Sequence, residues 1–297
     1  MLARETETPL LKTPLHALHL ARGGKMVPFA GYDMPVQYAA GVLKEHLHTR
    51  ASAGLFDVSH MGQIALTAKS GKAEDAALAL ERLVPQDILA VAPERQRYAQ
   101  FTNDAGGILA DLMVANFGDH LFLVVNAACK AEDEAHLRKH LSDACTIDVL
   151  ADRALIALQG PKAASVLAKF CPEAPDMKFM DAGPHRVDGI DCFVSRSGYT
   201  GEDGYEISIP AAHAEALVTK LLDDADVMPI GLGARDSLRL EAGLCLYGHD
   251  IDTATSRVEA ALEWSVQKSR RNGGTRAGGV PGADVILPQF DKGASRR

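Results

Sequence analysis

Residues 98–115 read Tyr98-Ala-Gln-Phe-Thr-Asn-Asp-Ala-Gly-Gly-Ile-Leu-Ala-Asp111-Leu-Met-Val-Ala115, and this stretch decides the fold class. Two strand-like runs, 98–103 and 108–115, flank the turn Asp104-Ala-Gly-Gly107, whose glycines admit the backbone angles of a tight reversal. Such runs pair antiparallel, and a third at 121–126 extends them into a meander. Upstream, 63–67 alternates as a half-buried strand and 73–83 has helical spacing. Downstream come a charged amphipathic helix at 131–140, a short strand at 155–158 ended by Gly160-Pro161, and a helix at 163–170. Asp188-Gly189 and Gly201-Glu-Asp-Gly204 mark two further hairpins, and helices at 212–222 and 234–240 close the body. Strands thus come in hairpin groups between helices, which indicates α+β with antiparallel sheets flanked by helices.

Towards the N-terminus, residues 1–8 form a polar tail. Thr13-Pro14 opens a short helix that Gly23-Gly24 stops, and 26–30 reads as a strand. Val42, Leu43, His46 and Leu47 are helically spaced, with Gly54 where a C-cap belongs. Residues 269–297 are rich in Gly, Arg and Lys and read as a linker in which only 283–287 is structured.

The composition, 47% hydrophobic and 24% charged over 297 residues, is that of a folded soluble chain. A net charge of −8 argues against a general nucleic-acid binder. There is no apolar run of bilayer length and no signal-peptide core, so no membrane partner is expected. Five scattered cysteines without a Cys-x-x-Cys pair indicate a reducing, cytoplasmic setting rather than a disulfide framework. His46 and His48 point different ways on a helix and His60 has no neighbouring ligand, so no metal site is expected.

Three segments can carry chemistry. Asp111 lies in a run apolar on both faces, and a buried carboxylate needs a reason. Two readings fit: an acid paired with an arginine or capping the turn, or a carboxylate held in a closed pocket to receive a hydrogen bond or proton. Tyr199 and Glu206 fall on opposite strands of the 201–204 hairpin, an aromatic plate beside a carboxylate that suits a flat heterocycle; a plain hairpin with a solvated tip fits as well. Gly231-Leu-Gly-Ala-Arg235-Asp236 opens a helix with Arg235 near its anion-favouring end. It lacks the third glycine of a dinucleotide fingerprint, and an Arg239–Asp236 ion pair is expected on that helix.

Together the motifs are specific. Gly24-Lys-Met-Val-Pro-Phe-Ala-Gly31, Pro35-Val-Gln-Tyr38, Leu55-Phe-Asp-Val-Ser-His-Met61 and the 102–112 segment match a single family. So do Ala157-Leu-Gln-Gly-Pro161, Gly198-Tyr-Thr-Gly-Glu-Asp-Gly204 and the stretch from Ala234 to Gly248. The chain resembles the aminomethyltransferases, or T-proteins, of the glycine cleavage system. The resemblance implies a folate-binding region over 9–268 built of two intertwined α+β lobes, with 269–297 leading into a C-terminal β-barrel that this chain largely lacks. It implies tetrahydrofolate as co-substrate and a lipoylated H-protein as donor of an aminomethyl group, whose methylene carbon goes to folate with release of ammonia. Asp111 would be catalytic and folate-binding. Tyr199 and Glu206 would hold the pterin, Met61 and Tyr98 would line the cavity, Arg235 would meet an anionic or polar part of the ligand, and Asn126 and Trp264 would complete the wall. Many members carry paired acids before Leu112; here position 110 is Ala, which leaves Asp111 alone. A truncated, non-catalytic remnant that binds folate or the H-protein is the alternative.

Overall fold

The structure, a computed structural model, describes residues 9–296, so the expected polar tail at 1–8 lies outside the described residues. Helix α1 (His16–Ala21) leads into an antiparallel hairpin of β1 (Lys25–Phe29) and β2 (Tyr32–Gln37). Helix α2 (Val42–Ala51) follows, then β3 (Ala53–Asp57), β4 (Gly62–Ala68) and α3 (Ala73–Leu80). The meander is β5 (Arg95–Thr102), β6 (Ile108–Asn116) and β7 (Leu121–Val125), followed by α4 (Lys130–Leu141) and β8 (Cys145–Val149). These strands form one antiparallel sheet in the order β5-β6-β7-β4-β8.

The second lobe holds β9 (Arg153–Gln159), α5 (Ala163–Leu167), β10 (Ala182–Val187), β11 (Ile190–Ser195) and β12 (Gly204–Pro210). Helix α6 (Ala211–Leu222), β13 (Val227–Ile230) and α7 (Leu232–Glu241) complete it. Its sheet runs β10-β11-β12-β9-β3-β13, antiparallel except that β13 lies parallel to β3. That pair qualifies the expectation of antiparallel sheets. Gly54, expected as a helix cap, is the second residue of β3, where a Cβ would come within 2.7 Å of the Ile230 side chain.

Each lobe has its own core. Ile64, Leu80, Phe101, Leu112 and Leu123 pack beneath the first sheet, and Leu158, Tyr205, Ile207 and Leu217 beneath the second. Helix α6 shows why the local pattern works: Ala214, Leu217, Val218 and Leu221 are buried at spacings of three and four, so one apolar stripe faces the sheet.

Strand β6 corrects one expectation. It is not buried on both faces: Ile108, Ala110, Leu112 and Val114 are buried, while Leu109, Asp111 and Met113 alternate with them and are partly exposed. The 201–204 hairpin corrects another. Register places Ser195 opposite Glu206, and Tyr199 falls in the loop beyond β11, so the two are not cross-strand neighbours.

Residues 269–296, expected as a linker, are fastened to the first lobe. Helix α8 (Ala283–Lys292) is longer than the structured stretch expected there. Arg270 and Arg276 pair with buried Glu81, Arg276 also pairs with Asp87, and Thr102 Oγ1 donates to Pro281 O at 2.8 Å.

Candidate active site

Between the lobes lies a cavity of about 460 Å³, within the range of small-molecule sites. The β1–β2 hairpin supplies Val27, Phe29 and Val36, β6 supplies Asp111, and the turn into α4 supplies Asn126 and Cys129. Residues 232–236 of α7 and the loop 245–249 close it. Buried Glu45 sets the start of α7: its carboxylate accepts from Tyr38 N at 2.6 Å and from Gly231 N at 2.8 Å. A Cβ at Gly231 would meet Val36 O at 2.4 Å, so only glycine lets α7 approach the hairpin this closely.

Asp111 projects from the outer face of β6 into this space. Tyr98 OH donates to its Oδ2 at 2.8 Å, and Asn126 Nδ2 donates both to its Oδ1 and to its backbone oxygen. Burial holds the carboxyl above the ordinary carboxylate range, against the downward pull of those donors. Among the described residues no cation pairs with this acid, whose side-chain partners are Tyr98 and Asn126. Asn126, expected in the cavity wall, makes a direct contact with it.

Met61, Asp111, Asn126, Tyr199 and Arg235 all line the cavity. The Arg235 guanidinium lies 4.8 Å from the Tyr199 ring centre and, among the described residues, has no hydrogen bond or ion pair. Burial lowers its pKa, and Glu206 and Tyr199 oppose the shift. Tyr199 OH donates to Cys245 O. Three of the expected residues stand off the cavity wall. Tyr98 supports Asp111 from beside it, and its ring stacks on Trp264 at 5.9 Å. Trp264 itself is 65% exposed. Glu206 accepts from Ser197 Oγ at 3.0 Å and lines a separate small recess with Phe193 and Ser208. The expected Arg239–Asp236 pair is present, at 2.9 Å.

Sequence reasoning missed His60, Cys129 and Tyr247 in the wall. His60 is buried, its Nδ1 has no partner, and burial pushes its pKa down to about 4; Asp57 opposes this while Arg235 and Lys130 reinforce it. Its position next to Met61 in a quoted motif was the available signal. Among the described residues, Cys171, Glu173 and His185 gather possible metal-ligand atoms within 4.8 Å of one another, but none of them lines the cavity.

Residues 15–270 match the family of the GCVT N-terminal domain. The mitochondrial aminomethyltransferase of Dictyostelium discoideum is 45% identical over 95% of this chain and 72% of its own length. That of Homo sapiens is 46% identical over 97% of this chain and 71% of its own length. The crystal structure of glycine cleavage system aminomethyltransferase T from Bartonella henselae superposes with a TM-score of 0.87 at 43% identity, covering 96% of this chain and 76% of that one. The expected cytoplasmic setting is corrected by these relatives: those from D. discoideum, Schizosaccharomyces pombe, pea and human are all mitochondrial by name.

Proposed function

From the premise that the chain belongs to the GCVT N-terminal domain family, we propose that its cavity takes tetrahydrofolate and that Asp111 is the group that accepts the proton in transfer. The chain is an aminomethyltransferase of the glycine cleavage system, a reading its relatives carry across 95–98% of its length. They do not favour a non-catalytic remnant.

The lining fits such a ligand. Tyr199 offers a ring to a flat heterocycle, Asp111 offers acceptor oxygens to its N–H groups, and the unpaired Arg235 guanidinium suits an anionic or polar part. Met61 and the apolar hairpin wall exclude water, which would hydrolyse an activated one-carbon unit. When bound, tetrahydrofolate supplies the nitrogens that take up the methylene carbon delivered by a lipoylated H-protein.

Asp111 receives the proton that the attacking nitrogen loses and passes it to the departing ammonia, while the proton of the second nitrogen leaves with the lipoyl sulfur as the carbon–sulfur bond breaks. Burial favours this by raising its pKa above the ordinary carboxylate range, so the carboxylate is a stronger base than an exposed one. Tyr98 and Asn126 fix its two oxygens. Trp264 and Glu206 act from outside the cavity, Glu206 through its charge on Arg235.

The observation that carries this reading is a raised, doubly hydrogen-bonded carboxyl in the only acidic position of β6. Asp111→Asn keeps the shape and removes the base. It is expected to bind tetrahydrofolate yet lose about 10²–10⁴-fold in turnover with aminomethylated H-protein. Turnover within a few-fold of the parent would overturn the assignment.

A further inference from the structure

Behind the cavity wall lies a second carboxyl that this mechanism does not use. Asp133, in the first turn of α4, is 4% exposed and its Oδ2 is buried without a hydrogen-bond partner. The backbone of the turn 126–133 places it one turn behind Cys129, in the cavity wall that Asp111 also lines. Asn126 binds the Asp111 carboxyl, Cys129 N donates to Asn126 O at 3.1 Å, and Asp133 N donates to Cys129 O at 2.7 Å. We propose that Asp133 is a positioning residue of the site, coupled to Asp111 across the Cys129–Tyr247 wall, and that it sets the charge the cavity carries around Asp111.

The surroundings of Asp133 are acidic. Asp111 from β6 and Glu132 from its own helix act on it, and Cys129 and Tyr247 in turn feel both Asp133 and Asp111. On its own helix His136 lies one turn on, with its Nε2 unpartnered, and shifts under burial, His140 and Lys139 rather than Asp133. Lys130 is turned to Tyr32 OH and the His60 carbonyl. Strand β8, packed on α4, brings Cys145 and Asp148, and no cation pairs with Asp133 among the described residues. An orphaned carboxylate oxygen in such a place is costly when charged, and the helix N-terminus only partly offsets that cost.

The physical outcome follows. Burial, then Asp111 and Glu132, push the Asp133 carboxyl up to about 8. Asp133 therefore keeps its proton through the neutral range and adds no charge to the cavity there. Above pH 8 a charge appears behind Cys129 and the electrostatics of the site change.

The catalytic half of this inference rests on Asp111 being the proton acceptor; the coupling does not. The test is a ¹³C NMR titration of the full chain labelled at aspartate carboxyl carbons. A carboxyl with a midpoint near pH 8 is expected in the parent protein and absent in Asp133→Asn. In Asp111→Asn, which leaves Asp133 untouched, that midpoint is expected to fall by about one unit or more. A midpoint that stays in place in Asp111→Asn, or no carboxyl titrating above pH 6 in the parent, overturns the coupling. Turnover separates the two claims. Asp133→Asn is expected to remove the break near pH 8 from the pH profile of kcat/KM, whereas Asp111→Asn lowers kcat throughout. If Asp111→Asn keeps turnover while the midpoint still moves, the coupling stands and the role of Asp111 falls. If the break persists in Asp133→Asn, its influence on catalysis is refuted.

Discussion

His60 and Asp133 are both buried, 3% and 4% exposed, and their pKa values move in opposite directions. For His60 the folded value, about 4, lies below the 6.5 of a free imidazole. The unfolded chain therefore binds more protons between those values, and stability is lost as pH falls from about 6.5 through 4, a swing on the order of 3 kcal/mol. For Asp133 the folded value is raised, so its stabilising contribution is full below about 4 and is lost as pH rises through about 8. The two slopes partly cancel between pH 4 and 6.5. In urea unfolding across this range, His60→Gln is expected to leave a stability that falls with pH, and Asp133→Asn one that rises. Identical pH dependence in both variants would contradict the burial argument. Tyr98→Phe removes the donor to Asp111 Oδ2. It is expected to shift the acidic limb of turnover upward by up to about one pH unit, and an unmoved limb counts against that bond. Asp111 was legible in the sequence because a lone acid in an apolar run demands an explanation. Asp133 was not, since an acid in the first turn of a charged helix looks the same whether solvated or buried.

At the scale of elements, turns, helices and the strand partners within the 98–126 meander were readable, and partners distant in sequence were not. The Gly106-Gly107 reversal between β5 and β6 follows from local angles, with Gly106 at φ 82°. What no local pattern reveals is why Gly107 must also be glycine. A Cβ there would lie 1.9 Å from the backbone oxygen of Thr253, because 253–256 crosses the turn and Gly107 bridges to Ser256. Gly107→Ala is therefore expected to cost more than about 3 kcal/mol, by pushing backbone against backbone. A Tm within a few degrees of the parent, read by calorimetry, would show that the 253–256 crossing can yield. The same distinction explains β3. Its parallel partner β13 lies some 170 residues along the chain, and short apolar runs such as these carry no record of which strand they meet. Tyr199 and Glu206 failed as a cross-strand pair for a related reason: the loop beyond β11 shifts the register, and composition cannot count it.

Across the whole molecule, the cavity depends on how the lobes and the chain after α7 are held together, and the Gly- and Arg-rich composition of 269–297 hid that tie. Arg270 of this stretch is buried and Arg276 is partly buried. Arg270 is 6% exposed and Glu81 3%. Glu81 accepts from Leu89 N at 2.9 Å and from Arg276, and pairs with Arg270 at 3.4 Å, while Ser269 and Arg276 both donate to Asp87. Two cations thus converge on acids at the end of α3, and the intervening 245–264 segment carries both the cavity loop and Trp264, which stacks on Tyr98 beside Asp111. Glu81→Gln leaves Arg270 buried beside a neutral amide. Breaking a buried pair from one side costs about 3–5 kcal/mol, far above the roughly 0.5 kcal/mol of a surface change on a flexible linker. Urea unfolding should register that loss, and limited proteolysis of the variant should cut after residue 276 before it cuts either lobe. A cost near zero with an unchanged cleavage pattern would mean that the segment hangs free in solution. A large cost with cleavage spread over both lobes would mean that Glu81 supports the first core directly and that the tail merely follows it.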